Sequence, residues 1–304
     1  MPESGLILVT GAGGQVGAIG RNVTGLLLDR GFRVRAMVHR EDDRANALRT
    51  AGAEVVVGDL LEPGGCLSGG QWVPSDLLRN VSVRWVSRGH PEHGGGRSPA
   101  RSRRPREHVP ADRFPDGSPA TTPSPQHRQH WLGEQALGWT GLPVITIRPT
   151  VFLDYFFLRA AAATVRSRGR IELPFGRGKT SPVAAADVAR VVATIVAAPE
   201  PHIGRLYELT GPRSQDMNGI AREYSDALNR EITYFDVPPA EWERELRKMG
   251  LSEHLTHHLL TMAELHRAGR YDRLADGVER VTGAAMSVRA FVSLHADEFT
   301  ERSG

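Results

Sequence analysis

Three glycines at three-residue spacing, Gly11, Gly14 and Gly17, follow directly on the apolar run Leu6-Ile7-Leu8-Val9. Glycine lets the chain turn tightly and lets anionic oxygens reach backbone N–H groups without meeting a Cβ. Thr10, Ala12, Gly13, Gln15 and Val16 complete the loop. Behind it, Val23, Leu26, Leu27 and Arg30 fall at helical spacing over residues 19–30, and Gly31 stands where a left-handed residue would end that helix. The first N–H groups of a helix have no intrahelical partner, and the helix dipole favours negative charge there. The chemistry this stretch could do is therefore the holding of a pyrophosphate, and a strand, a glycine turn and a helix in that order are the context a dinucleotide fingerprint requires. The form is G-x-x-G-x-x-G; the version with a short first step fails, because Val16 stands where its third glycine would be.

A second chemistry-bearing position lies about twenty residues beyond the glycines, where a dinucleotide's ribose is read. Residues 33–40 read as the second strand and end in His39-Arg40, with Glu41 and Asp42 only afterwards. An acid there would grip a 2′-hydroxyl, whereas Arg40 offers a permanent bidentate partner to a 2′-phosphate. NADP(H) is accordingly expected over NAD(H). The competing expectation makes Arg40 a solvated partner of Asp42 or Asp43.

These residues need a scaffold. A helix over residues 42–51 closed by Gly52, then a third strand over residues 54–60 ending Gly58-Asp59-Leu60, continue the alternation. Two β-α-β steps imply a parallel sheet with right-handed crossovers. With 304 residues, 40% hydrophobic and 24% charged, the chain has the makings of a globular α/β protein. No apolar run is long enough to span a membrane, Met1 to Gly5 leaves no room for a signal peptide, and the single Cys66 fits a reducing compartment, so a cytoplasmic protein is expected.

Between residues 66 and 118 the text changes character. Beyond residues 81–86 it holds no convincing buried strand, and residues 89–106 are dense in Gly, Pro, Arg and Ser, as disordered linkers are. Residues 84–128 carry nine Arg against four acids, more than the net +3 of the whole chain, so the basic excess is confined to this segment and argues little for nucleic-acid binding. A structureless insert of about fifty residues is improbable inside such a sheet. A reading-frame slip accounts for it: read one base later, plausible codons for residues 72–83 give a strand-like text and those for residues 89–97 a helical one. The rival is a genuine basic linker.

Order returns at Thr121. Ser124-Pro125 opens a helix to Trp139, residues 143–150 form another buried strand, residues 151–168 an apolar helix, residues 186–198 a helix with Asp187 in its first turn, and residues 206–212 a late strand. Helices are then expected over residues 217–228, 239–248, 252–267 and 287–299.

The Thr10-to-Gly17 loop, Val57-Gly58-Asp59-Leu60, Gly141-Leu142-Pro143 leading to Ile147-Arg148-Pro149, Asp187-Val188-Ala189 and Tyr207 to Gly211 occur in this order. Together they resemble the NmrA-like family of atypical short-chain dehydrogenases/reductases, close to its NAD(P)H:quinone-oxidoreductase-like and redox-sensor members, over residues 6–65 and 121–299. The resemblance implies a Rossmann-type doubly wound parallel sheet in residues 1–210 and a smaller, mostly helical substrate subdomain in residues 211–304. It also implies that Asp59 bonds the adenine amino group and that Leu60 lines the adenine pocket. Pro149, Thr150 and Val151, just after a core strand, are placed to flank the nicotinamide, because ligands of doubly wound sheets sit at strand carboxyl ends.

The Tyr-x-x-x-Lys pair of typical short-chain dehydrogenases is missing. His130 aligns with that lysine and could hold the ribose or relay a proton; a surface or packing role is the commoner fate of such a residue. His254 and His258 have the spacing of metal ligands but lack a third, so no metal site is expected. The expected function is NADP(H)-preferring hydride transfer to a quinone-like or small carbonyl substrate. The alternative is a non-catalytic redox sensor acting through a protein partner; a homodimer is compatible with either, and neither needs a membrane or nucleic acid.

Overall fold

The computed structural model describes residues 6–14, 18–58, 83–84 and 124–300. Gln15, Val16, Gly17, Asp59, Leu60, Cys66 and all of the anomalous stretch except Val83 and Arg84 lie outside the described residues.

The amino-terminal half begins with β1 (Ile7–Val9), α1 (Ile19–Asp29), β2 (Val34–Val38), α2 (Asp43–Thr50) and β3 (Glu54–Val57). β1 pairs parallel with β2 and β2 parallel with β3, as expected of β-α-β steps. Gly31 (φ 80°) and Gly52 (φ 99°) take the left-handed conformation that ends each helix. Asp42 caps α2, accepting from the backbone N–H groups of Arg44 and Ala45. The two-residue strand β4 (Val83–Arg84) departs from the expected all-parallel order, running antiparallel to β1 with Leu8 opposite Arg84 and Val9 opposite Val83. It pairs the other edge of β1, whose buried N–H and C=O groups need partners.

The carboxyl-terminal half adds α3 (Pro125–Trp139), β5 (Thr146–Pro149), α4 (Ala162–Arg168), β6 (Arg170–Leu173), α5 (Ala185–Ala197) and β7 (Leu206–Leu209). It continues with α6 (Met217–Leu228), β8 (Thr233–Asp236), α7 (Pro239–Lys248), α8 (Glu253–Arg267), α9 (Gly277–Thr282), α10 (Val288–Leu294) and α11 (Ala296–Phe299). β5 pairs parallel with β7, and β6 parallel with β8.

Two expectations are corrected here. Residues 151–168 do not form one helix: Phe152 bridges Val183, a π-helix runs over Leu153–Ala160, and only then does α4 begin. The wider turns let Leu153, Phe156 and Phe157 all bury, while the Asp154 carboxylate leaves the helix face to accept from Ala185 N at 2.8 Å. The last helix is broken at His295, whose backbone (φ −114°, ψ 25°) is not helical, giving α10 and α11.

Two buried clusters organise the packing. One joins β1, α1 and β2 to α5 and β7 through Val9, Val23, Leu27, Val188, Val192 and Leu209. The other joins residues 151–175 to the carboxyl-terminal helices through Phe157, Leu173, Phe175, Tyr224, Val292 and Phe299.

Candidate functional site

The glycine turn has the form that the sequence predicts as far as it is described. Gly11 takes φ 68°, and Gly14 N–H closes the turn on Gly11 O at 3.0 Å. Thr10 and Ala12 are buried. A Cβ on Gly20 would come within 2.7 Å of Gly11 O, so a fourth glycine, one step beyond Gly17, lets α1 press against the turn. α1 starts from Ala18 in the left-handed region (φ 49°) with no side chain capping it. Its first N–H groups therefore receive no side-chain cap from among the described residues, the condition under which an anion satisfies them. These features suit the diphosphate of a dinucleotide.

At the end of β2, His39 and Arg40 are both exposed. The Arg40 guanidinium stands 73% exposed, with Nε 3.8 Å from an Asp42 carboxylate oxygen. That loose contact is the solvated partnership anticipated for Arg40, and it leaves the side chain reaching outward. Sequence reasoning missed the neighbour, Arg44. It donates through Nη1 to Gly13 O at 2.6 Å and through Nε to Asp42 Oδ2 at 3.0 Å, and so fastens the start of α2 to the glycine turn. The Arg44 guanidinium holds the Asp42 carboxyl below its ordinary value. The signal was present in the sequence as a basic residue one turn into a helix capped by Asp42, but helical periodicity gives no reason to single it out.

At the other half, β5 and β7 part at their carboxyl ends and the segment Ser181-Pro182-Val183 wedges between them. Thr150 N–H still reaches Leu209 O at 2.9 Å, but Gly211 N–H donates to Ser181 O at 3.1 Å and Val183 N–H to Val151 O at 2.9 Å. Any side chain on Gly211 would collide with the Pro182 carbonyl, which is why glycine is required there. The wedge packs against the expected nicotinamide residues: Thr150 and Val151 are buried, and the hydroxyls of Thr150, Thr180 and Ser181 have no hydrogen-bond partner among the described residues. Crevices at strand carboxyl ends are where doubly wound sheets bind ligands.

Helix α3 is fixed to β5. Ser124 Oγ caps it by accepting from His127 N, and Glu134 takes a bidentate pair from Arg148 of β5, the residue before Pro149, with an Nε to Oε1 distance of 2.9 Å. His130 lies exposed one turn before Glu134. Its ring is 6.5 Å from that of His127, which in turn meets His258 of α8 edge-on at 6.1 Å. Burial, reinforced by the neighbouring imidazoles, pushes the His258 pKa down to about 4, so it is neutral at pH 7. His254 is exposed, and among the described residues no three His, Cys, Asp or Glu side chains converge as a metal centre would need. Nor, among them, is any helix long and apolar enough to cross a membrane.

The fold is the Rossmann type, and residues 3–88 match the model of the NmrA-like family. In sequence the chain is 28% identical over 300 residues to the NAD(P)H azoreductase of Xenophilus azovorans, covering 97% of this chain and 99% of that one. In structure it matches a new type of NADPH-dependent quinone oxidoreductase from Escherichia coli (TM-score 0.70, 18% identity, 96% of this chain and 100% of that one). It also matches NmrA, a negative transcriptional regulator in complex with NADP, with a TM-score of 0.58 and 14% identity over 96% of this chain and 95% of that one. Residues 3–88 are thus similar to the NmrA-like family, and the chain shares the Rossmann-type fold of the structures it matches.

Proposed function

We propose that the protein is an NADPH-dependent oxidoreductase that transfers hydride to a quinone-like or other conjugated small-molecule acceptor. The observation that carries this is the glycine turn abutting the start of α1, with Arg40 and Arg44 beside it, together with the meeting of β5, β7 and the 181–183 segment at the strands' carboxyl ends. The azoreductase relative, nearly full length on both sides, supports the choice of an enzyme.

In this reading Gly11, Ala12, Gly13 and Gly14, with Thr10 and the undescribed Gln15, Val16 and Gly17, hold the diphosphate, and Arg40 faces the 2′-phosphate. His39 borders the same ribose, and Asp59 and Leu60 take the adenine. Pro149, Thr150 and Val151 flank the nicotinamide, which when bound supplies the hydride. The chain's own part is to orient donor and acceptor at the strand ends and exclude water from the crevice. The helical layer from residue 211 onward forms its outer wall. His130, exposed on α3 one turn before the Glu134 link to β5, is the residue that returns a proton in this reading. A cytoplasmic location suits this chemistry.

A second reading is favoured by the missing Tyr-x-x-x-Lys pair and by the NmrA likeness: a dinucleotide sensor that signals to a protein partner. Fluorescence titration with NADPH and NADH, followed by turnover assays over a panel of quinones and azo compounds, separates the two. NADPH consumption that depends on the acceptor supports the enzyme. Tight NADPH binding without turnover anywhere in the panel overturns it in favour of the sensor.

A further inference from the structure

Residues 174–180 form a turn held at nearly every position. The Phe175 ring is fully buried and stacks on the His266 imidazole at 3.9 Å with a 4° interplanar angle. Its N–H donates to the Tyr234 hydroxyl at 3.1 Å, and that hydroxyl donates onward to Leu173 O at 2.8 Å. Gly176 N–H donates to Asp236 Oδ1 at 3.0 Å. Gly178 lies so close to the His266 carbonyl that no Cβ could be accommodated. Thr180 and Gln215 exchange two backbone hydrogen bonds at 2.9 and 3.0 Å.

From this clamped turn only Arg177 and Lys179 point outward, two residues apart and separated by the buried Gly178. Neither has an ion-pair or hydrogen-bond partner among the described residues. The acids that bond this turn or lie beside its backbone partner Gln215 are already engaged. Asp236 accepts from Arg267 at 2.7 Å as well as from Gly176, and Asp216 caps α6 through Gly219 N. Glu223 accepts from Gln215 at 2.6 Å and from Arg289 N at 2.7 Å. The two cations are thus presented without a counter-charge of their own.

Their location gives that charge a use. Lys179 lies two residues, at most about 7 Å of chain, before Ser181, whose carbonyl takes the Gly211 N–H where β7 ends. The proposed cofactor phosphates fall to the glycine turn and Arg40, on the β1–β2 half of the fold, so Arg177 and Lys179 are free to serve whatever binds beside the 181–183 segment. We infer that Arg177 and Lys179 form an oxyanion-accepting rim, and that the acceptor this protein reduces carries a sulfonate, carboxylate or phosphate. The inference rests on the oxidoreductase reading for the word acceptor, but not for the rim itself. A rigid turn suits this task, because the ordering of its backbone precedes ligand binding and two cations on one short segment can share a single oxyanion.

The test pairs 1,2-naphthoquinone with its 4-sulfonate at saturating NADPH, in wild type and in the double variant Arg177→Gln/Lys179→Gln. The ratio of kcat/KM for sulfonated over neutral quinone is expected to fall roughly tenfold in the variant, and to fall in wild type as KCl is raised. Comparing the ratio between proteins cancels the sulfonate's effect on the quinone's intrinsic reactivity. An unchanged ratio overturns the rim. Calorimetric titration of the NADP+-loaded protein with 2-naphthalenesulfonate, which accepts no hydride, reads the rim without turnover. Binding that is lost in the variant upholds it even if neither quinone is reduced, in which case the oxidoreductase reading alone falls. Binding that survives the double substitution overturns it.

Discussion

Arg44 Nη1 donates to the carbonyl oxygen of Gly13 at 2.6 Å, so the first turn of α2 is tied to the turn that follows β1. The same guanidinium pairs with Asp42, the residue that caps α2, and Asp42 lies 3.8 Å from Arg40 Nε. Cap, glycine turn and the exposed cation at the end of β2 therefore form one connected unit. The two arginines should divide the work of binding between them.

Arg40→Ala removes a charge that reaches outward and touches Asp42 only loosely, at 3.8 Å, so it is expected to weaken NADPH roughly tenfold or more while leaving NADH within about twofold, as loss of a charge-assisted phosphate contact would. Fluorescence titration of both cofactors reads this directly. Equal losses would remove Arg40 from the 2′-phosphate.

Arg44→Ala should behave differently. It frees the Gly13 carbonyl and loosens the turn itself, so NADPH and NADH are expected to weaken together, by about 1–2 kcal/mol. A loss confined to NADPH would mean that Arg44 binds the phosphate rather than holding the turn.

Gly20→Ala places a methyl within 2.7 Å of Gly11 O, with Gly11 C and Ala12 Cα at 2.9 and 3.0 Å. These are backbone atoms and cannot swing aside. The expected cost is about 1–3 kcal/mol of stability together with weakened cofactor binding, read by urea unfolding and titration. Gly25→Ala in the same helix, where nothing lies within 4 Å of the added Cβ, serves as the control and should stabilise slightly or do nothing.

How much of this was legible beforehand varies with the physics of each element. Helices α6 and α7 run over the residues that periodicity gives, because a cap or Pro at one end and a long amphipathic stripe define them locally. Gly31 and Gly52 were readable because only glycine sits easily at positive φ. β6 and β8 were not seen: each is four residues long, and their pairing is fixed by the Tyr234 hydroxyl and the buried Ile171 rather than by any pattern within the strand. The π-helix was hidden for a related reason, since what bends it from a regular helix is Asp154 bonding Ala185, thirty-one residues away. At the candidate site the glycine turn and Arg40 announced themselves by residue type. Arg44, the 181–183 wedge and the Arg177–Lys179 turn depend on backbone contacts across the fold, and no spacing rule encodes those.

His258 carries the clearest pH prediction. Its folded-state pKa, about 4, lies below the ordinary 6.5, so between these values the unfolded chain binds a proton that the folded chain refuses. Stability from this group is therefore complete above about pH 6.5 and drains away as pH falls toward 4, by up to about 3 kcal/mol. The imidazoles that share its surroundings, His127 and His130 of α3 and His254 and His257 of its own helix, lower its pKa in the same direction as burial does. Urea unfolding from pH 4 to pH 8 should show wild-type stability rising up to about pH 6.5 and levelling off beyond it. His258→Gln keeps a polar side chain of similar length but cannot titrate, so its profile should be flatter below pH 6.5. Parallel profiles for the two proteins would show that the acid sensitivity comes from elsewhere in the fold and that the contact between α3 and α8 tolerates a charge.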